Sequence, residues 1–132
     1  MKKAAIPHLS EAQEQTMIFG WARWKPELKW LFAIPNGGNR NVIEAVNLKR
    51  QGVKKGVSDM CLALPKGKYH GLFIELKVGK NKPTKEQKEF IAYANSYDYL
   101  AKVCYGHEEA ISLIEKYLNL KSGQELSLNE QK

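Results

Sequence analysis

Two short apolar runs divided by a polar break carry the clearest pattern in the chain. Met60-Cys61-Leu62-Ala63-Leu64 leads into Pro65-Lys66-Gly67-Lys68-Tyr69-His70-Gly71, and then comes Leu72-Phe73-Ile74-Glu75-Leu76-Lys77. Runs of this length around a glycine- and proline-containing break predict a β-hairpin with a long loop. Side chains alternate along a strand, so Glu75 and Lys77 share one face while Ile74 and Leu76 share the other. With the loop centred on Gly67-Lys68, antiparallel pairing sets Asp59 opposite Leu76 or Lys77, close to Glu75.

Helical periodicity accounts for much of the remainder. Ser10 is the expected N-cap of a first helix through Glu11, Glu14, Gln15, Met17, Ile18, Trp21 and Trp24, ending before Pro26. Glu14 shares a face with Met17, Ile18 and Trp21, at the edge of the buried stripe. Pro26 to Lys29 reads as a turn, Trp30 to Ile34 as a short buried strand, and Asn36-Gly37-Gly38-Asn39 as a second turn. Asn41 starts a helix from Val42 to Gln51, ended by Gly52. Thr84 caps another from Lys85 to about Tyr97, with Thr84-x-x-Gln87 forming a capping box. Tyr99 to Tyr105 reads as a strand. Glu108 to Leu118 reads as a closing amphipathic helix with Ala110, Ile111, Ile114 and Leu118 inward. From Lys121 the chain is polar and aperiodic, which predicts one folded domain over 1–120 and a disordered tail over 121–132. The order of elements is that of an α/β sandwich, a small mixed sheet flanked by helices.

A chain of 132 residues with 43% hydrophobic content is long enough for a core. No apolar run approaches the ~20 residues of a membrane span. The basic start, Met1-Lys2-Lys3, lacks the long apolar region of a signal peptide. Cys61 and Cys104 sit in apolar runs and read as buried free thiols. Basic residues outnumber acidic ones 21 to 14, a formal charge of +7, and concentrate around Arg40 to Lys55 and Lys66 to Lys88. Phosphate backbones attract such surfaces, so nucleic acid becomes the favoured partner. Arg40, Lys49, Arg50, Lys54 and Lys55 are the expected contact wall, although a solvated helix face has the same appearance.

Asp59, Glu75 and Lys77 change the picture most. Two carboxylates and an ammonium converging on a hydrophobic sheet are costly unless something binds there. Clustered carboxylate oxygens suit Mg²⁺ or Mn²⁺. The loop histidine His70 is read as structural or solvent-exposed. The aromatics Trp21, Trp24, Trp30, Tyr93, Tyr97 and Tyr99 exceed what one small core needs; they either fill it or mark an interface.

Asp59, fifteen residues, then Glu75-x-Lys77 resembles the signature of the PD-(D/E)xK nucleases, with Ser58 where many members have proline. Glu14-Gln15, Ile34-Pro35-Asn36-Gly37-Gly38, Gly56-Val57-Ser58-Asp59, Tyr69-His70-Gly71-Leu72-Phe73-Ile74-Glu75-Leu76-Lys77 and Gln87 together resemble the small stand-alone VRR-NUC nucleases of phages and bacteria, over residues 8 to 119. The resemblance implies a restriction-endonuclease-like fold and a Mg²⁺- or Mn²⁺-dependent endonuclease. It implies metal ligands at Asp59, Glu75, the Leu76 carbonyl and a first-helix glutamate, Glu14 ahead of Glu11. Asp59, Glu75, Lys77 and Gln87 are the implied catalytic set. Also implied are branched or Holliday-junction-like DNA as substrate, a homodimer, a role in DNA repair or recombination, and a cytoplasmic setting in a bacterium or phage-infected host. The rival expectations are a non-catalytic nucleic-acid-binding module and an RNA-cleaving enzyme of the same fold.

Overall fold

A four-stranded mixed sheet organises the chain, in the order β1 (Leu31–Ala33), β2 (Met60–Leu62), β3 (Leu72–Lys77), β4 (Leu100–Tyr105). The structure is a computed structural model, and it describes residues 8–35 and 41–127. β1, β2 and β3 pair antiparallel, and β3 pairs parallel with β4. That last pairing needs a crossover, which α3 (Lys85–Ser96) supplies. α1 (Glu11–Ala22), α2 (Val42–Arg50) and α4 (Gly106–Leu118) complete the helices described, so the expected α/β sandwich is observed.

Alternation along β3 divides the interior. Leu72, Ile74 and Leu76, with Met60 and Leu62 of β2, belong to one buried cluster with Ile18 and Ala22 of α1 and Ala110, Leu113, Ile114 and Tyr117 of α4. Phe73 points to the other face, where its ring meets Phe90 of α3 edge-on at 5.0 Å. Leu113 and Tyr117 are buried where Ile111 and Leu118 were expected to lead; the latter two are half-buried. Met17 is exposed, because the inward stripe of α1 is Glu14, Ile18 and Ala22, spaced four apart.

The hairpin forms, but its register differs by one residue from the expectation. Met60 pairs with Ile74 and Leu62 with Leu72. The tip is centred as predicted, with Lys66 bridging Tyr69. Residues 63–65 lead into that bridge and only residues 70–71 lead out of it. This extra incoming residue moves the continuation of Asp59 across from Glu75 rather than Leu76 or Lys77.

The boundary expected at residue 121 also moves. Leu126 is buried in the core, its N–H donates to the Tyr69 hydroxyl at 3.2 Å, and the Lys68 N–H donates to the Gln124 carbonyl at 3.0 Å. Leu126 stands in a polar stretch with no helical or strand period, yet it covers the hairpin loop. Residues 128–132 lie outside the described residues.

α4 begins without a side-chain cap of its own. Glu14 of α1 takes that place: its Oε1 accepts the His107 N–H at 2.7 Å and lies 2.5 Å from His107 Nδ1. The backbone hydrogen bond from His107, followed by its ring, holds the Glu14 carboxyl below its ordinary 4.5. A carboxylate with a depressed folded-state pKa contributes stability that is present above its unfolded value and lost as pH falls through the folded value. Glu14→Ala should therefore cost about 1–2 kcal/mol near neutral pH, the worth of a helix cap with a charge-assisted bond. Thermal melts of both proteins should converge as pH drops below 4.5; a constant gap would show that the contribution is packing alone.

Candidate active site

β3 outruns its neighbour. β2 stops at Met60, whereas β3 continues to Lys77, so Glu75, Leu76 and Lys77 have no strand beside them on that edge. Continuing the register would pair Leu76 with Ser58. There the ladder breaks, and the Leu76 N–H donates instead to Asp59 Oδ2 at 2.7 Å. On its other side the Asp59 carbonyl accepts the Ile34 N–H at 2.7 Å, so Asp59 is fixed by both β1 and β3. Just upstream, Gly56 has φ +96°, and a Cβ on it would stand 2.5 Å from the Glu86 carbonyl oxygen. Only glycine lets this segment close against the first turn of α3.

Glu75 is 1% exposed and its Oε1 has no hydrogen-bond partner; the Ser58 hydroxyl is buried in the same condition. Lys77 is also buried, its Nζ 3.7 Å from Glu75 Oε2. The Glu75 carboxyl is pushed up to about 8, first by burial and then by the charge of Asp59, against the opposing pull of Lys77; Glu11 adds a smaller repulsion. Two ionised carboxylates cannot hydrogen-bond each other. Asp59 and Glu75 come to terms only with a proton or a cation between them.

The donor set fits a hard cation. Glu75 Oε1 is an unpaired buried oxygen, and Asp59 has an oxygen beyond the one bound to Leu76. The N–H and C=O of one strand residue point the same way, so the Leu76 carbonyl lies on the edge that Asp59 occupies. Among the described residues, no three His, Cys, Asp and Glu side chains form a cage. Two carboxylates and a carbonyl that leave positions for water and substrate suit Mg²⁺ or Mn²⁺.

These groups open into a cleft of about 1000 Å³, lined by Glu11, Asp59, Glu75, Lys77 and Gln87 among others. Of the expected catalytic residues, all four are thus together. Gln87 also performs its cap, Oε1 accepting the Thr84 N–H at 2.8 Å. Glu14 is not there: it lies on the stripe facing α4, while Glu11 and Gln15 lie on the neighbouring stripe facing the cleft. Glu11 is therefore the first-helix carboxylate at this site.

Lys49, Arg50, Lys54 and Lys55 are exposed on and after α2, a helix with no buried residue, and none of them lines the cleft. Arg40 and the Asn36-Gly37-Gly38-Asn39 turn lie outside the described residues. His70 is exposed; its N–H donates to the Asp98 carbonyl at 2.8 Å and its ring rests against Tyr99, a structural role. Phe19, Arg23, Ile34 and Pro35 also line the cleft and were not anticipated as site residues. Their signal was available for α1, since Glu11, Gln15, Phe19 and Arg23 recur every four residues.

Residues 3–108 match the VRR-NUC domain. A solved structure described as a VRR_NUC domain protein is 31% identical, with a TM-score of 0.81 over 92% of this chain and 100% of that one. No curated protein sequence matches the chain. With the family's domain spanning most of the sequence and the same fold in a relative of this identity, the chain belongs to the VRR-NUC family of nuclease domains.

Proposed function

We propose that the protein is a metal-dependent DNA endonuclease that hydrolyses phosphodiester bonds in branched or junction DNA. The observation that carries this reading is the buried, unpaired Oε1 of Glu75 beside Asp59 and Lys77 in an open cleft. Asp59, Glu75 and the Leu76 carbonyl would hold Mg²⁺ or Mn²⁺, with Glu11 at the mouth. A bound divalent ion supplies an acidified water and a Lewis acid for the phosphate. Asp59 fixes the Leu76 peptide through Oδ2, which keeps its carbonyl turned to the site. Lys77, held beside Glu75, donates to the phosphoryl oxygens on which negative charge develops, or orients the attacking water. Gln87 spends Oε1 on its helix cap and offers its amide nitrogen to a phosphate.

A binding module without catalysis gains nothing from buried carboxylates facing phosphate, which favours the enzyme. Each chain supplies one such site among the described residues, so coordinated cutting of two junction strands calls for two copies related by a two-fold axis. Incubation with linear, forked and four-way DNA, and with RNA of the same sequences, in Mg²⁺, Mn²⁺ or EDTA, tests substrate and metal together. Sedimentation of the same samples tests the homodimer.

Asp59→Asn and Glu75→Gln should each abolish cleavage while leaving the fold intact. In EDTA a second readout applies. The Glu75 pKa rises from 4.5 unfolded to about 8 folded, so the native state holds more protons across that window. Stability of the metal-free protein should then fall as pH rises through it, and Glu75→Gln should flatten the fall. Unaltered cutting by either variant removes the site.

Nucleic-acid binding should be electrostatic. Log affinity should decline linearly with log salt, and each phosphate-contacting cation removed should reduce the slope by about one. Replacing Lys49, Arg50 and Lys54 together tests the α2 wall; an unchanged slope moves the contact to Lys80, Lys82, Lys85 and Lys88.

A further inference from the structure

Resting on the nuclease reading, we propose that the α1 wall of the cleft, continued past the helix end by Trp24 just outside the cleft lining, is a subsite for an unpaired segment of the nucleic-acid strand. Bases stack on Phe19 and Trp24, and Arg23 takes a phosphate between them. The substrate class is thereby narrowed to nucleic acid with a single-stranded branch or overhang at the cut site.

Glu11, Gln15, Phe19 and Arg23 form one row along the cleft. At 1.5 Å per residue the row is about 18 Å long, which accommodates roughly five stacked nucleotides at 3.4 Å each. One end of the row is at the carboxylates. Arg23 marks the other, its guanidinium carbon 5.5 Å from the centre of the Trp24 ring. Trp24 is 78% exposed, an uncommon state for the largest side chain unless its face has a use. Phe19 packs partly against the core and shows its remainder to the cleft. The same pairing occurs a second time in the chain, where Lys29 Nζ lies 5.8 Å from the ring of Trp30, which is also exposed. A cation beside an exposed ring presents both things a single strand offers, a base face and a phosphate.

Gly20 points the same way. It sits inside α1 on the cleft wall, and a Cβ there would meet nothing within 4 Å. Glycine in a helix interior weakens the helix relative to alanine, and nothing in the protein's own packing asks for it. Its missing side chain leaves room between Phe19 and Arg23 for an occupant.

The occupant is an unpaired strand rather than a duplex, because base pairs within a duplex keep their faces covered by their neighbours. It is nucleic acid rather than a second copy of the chain at this wall, because the cleft face of α1 is polar at Gln15, Thr16 and Arg23 where the core of a protein interface is depleted of charge, and the Arg23 cation suits a phosphate.

The test is binding of a fluorescent blunt duplex, and of the same duplex with an unpaired oligothymidine overhang, to the full chain in EDTA. Trp24→Ala should weaken overhang binding roughly 5- to 160-fold, the range of one stacked base at ~1–3 kcal/mol, and Arg23→Gln should weaken it through the lost phosphate contact. Blunt-duplex affinity should change far less. Gly20→Gln, which fills the wall at an unstrained helical position, should keep or raise the thermal midpoint and yet lose overhang affinity. Equal losses on both DNAs, or none on either, overturn the subsite. So does a shift from dimer to monomer in sedimentation of Trp24→Ala, which would make the patch a protein interface. The outcomes separate from those of the nuclease reading. Overhang binding without cleavage by the wild type would remove the catalysis and leave the subsite. Cleavage with no effect of Trp24 or Arg23 would do the reverse.

Discussion

The hydrogen bond from the Leu76 N–H to Asp59 Oδ2 is the constraint on which the site depends. A sheet edge must satisfy its backbone groups, and here a side chain takes over where the neighbouring strand stops. That substitution brings a carboxylate up to the edge of β3 at the residue next to Glu75. Alternation then decides the rest: Leu72, Ile74 and Leu76 are committed to the core, so Glu75 and Lys77 have no choice but the opposite face. The repulsion between Asp59 and Glu75 is the consequence, and it is tolerated because the apolar half of the same strand is fully buried. Lys77 offsets part of it and a bound cation would offset the remainder.

How much of this the sequence discloses depends on how local each determinant is. The hairpin, the N-cap at Ser10, the capping box at Thr84 and the alternation of Glu75 with Leu76 are set within a few residues, and all are legible. The register is not, because it depends on three residues leading into the Lys66–Tyr69 bridge against two leading out, which composition does not specify. Nor is the role of Leu126, whose partner Tyr69 is distant in sequence. The exposed aromatics divide similarly. Trp21 packs against the core, whereas Trp24, Trp30, Tyr93 and Tyr97 stay exposed, so filling the core is not their common explanation.

On helix α1 a small rotation separates the roles of Glu11 and Glu14. The two positions are about 60° apart around the helix axis, within the width of one apolar stripe. The neighbours decide. Glu14 shares its stripe with Ile18 and Ala22 and meets the start of α4; Glu11 shares its stripe with Gln15, Phe19 and Arg23 and meets the cleft. One helix therefore presents a structural carboxylate and a candidate site carboxylate within a single turn.

These two carboxylates are mechanically coupled. The Glu14–His107 bonds tie α1 to α4, and α4 packs on the face of β3 that carries Ile74 and Leu76. The position of Glu11 at the cleft therefore depends on a contact made by the adjacent stripe of the helix, together with the core packing of Ile18 and Ala22. Losing Glu14 would shift the mouth of the cleft without removing any group from it, and would lower stability at the same time. Losing Glu11 would remove a negative charge that repels Glu75 and would leave α1 where it is. A change at Glu14 that altered the site while leaving stability untouched would mean that Glu14 reaches the cleft directly, and the geometry assigns that reach to Glu11.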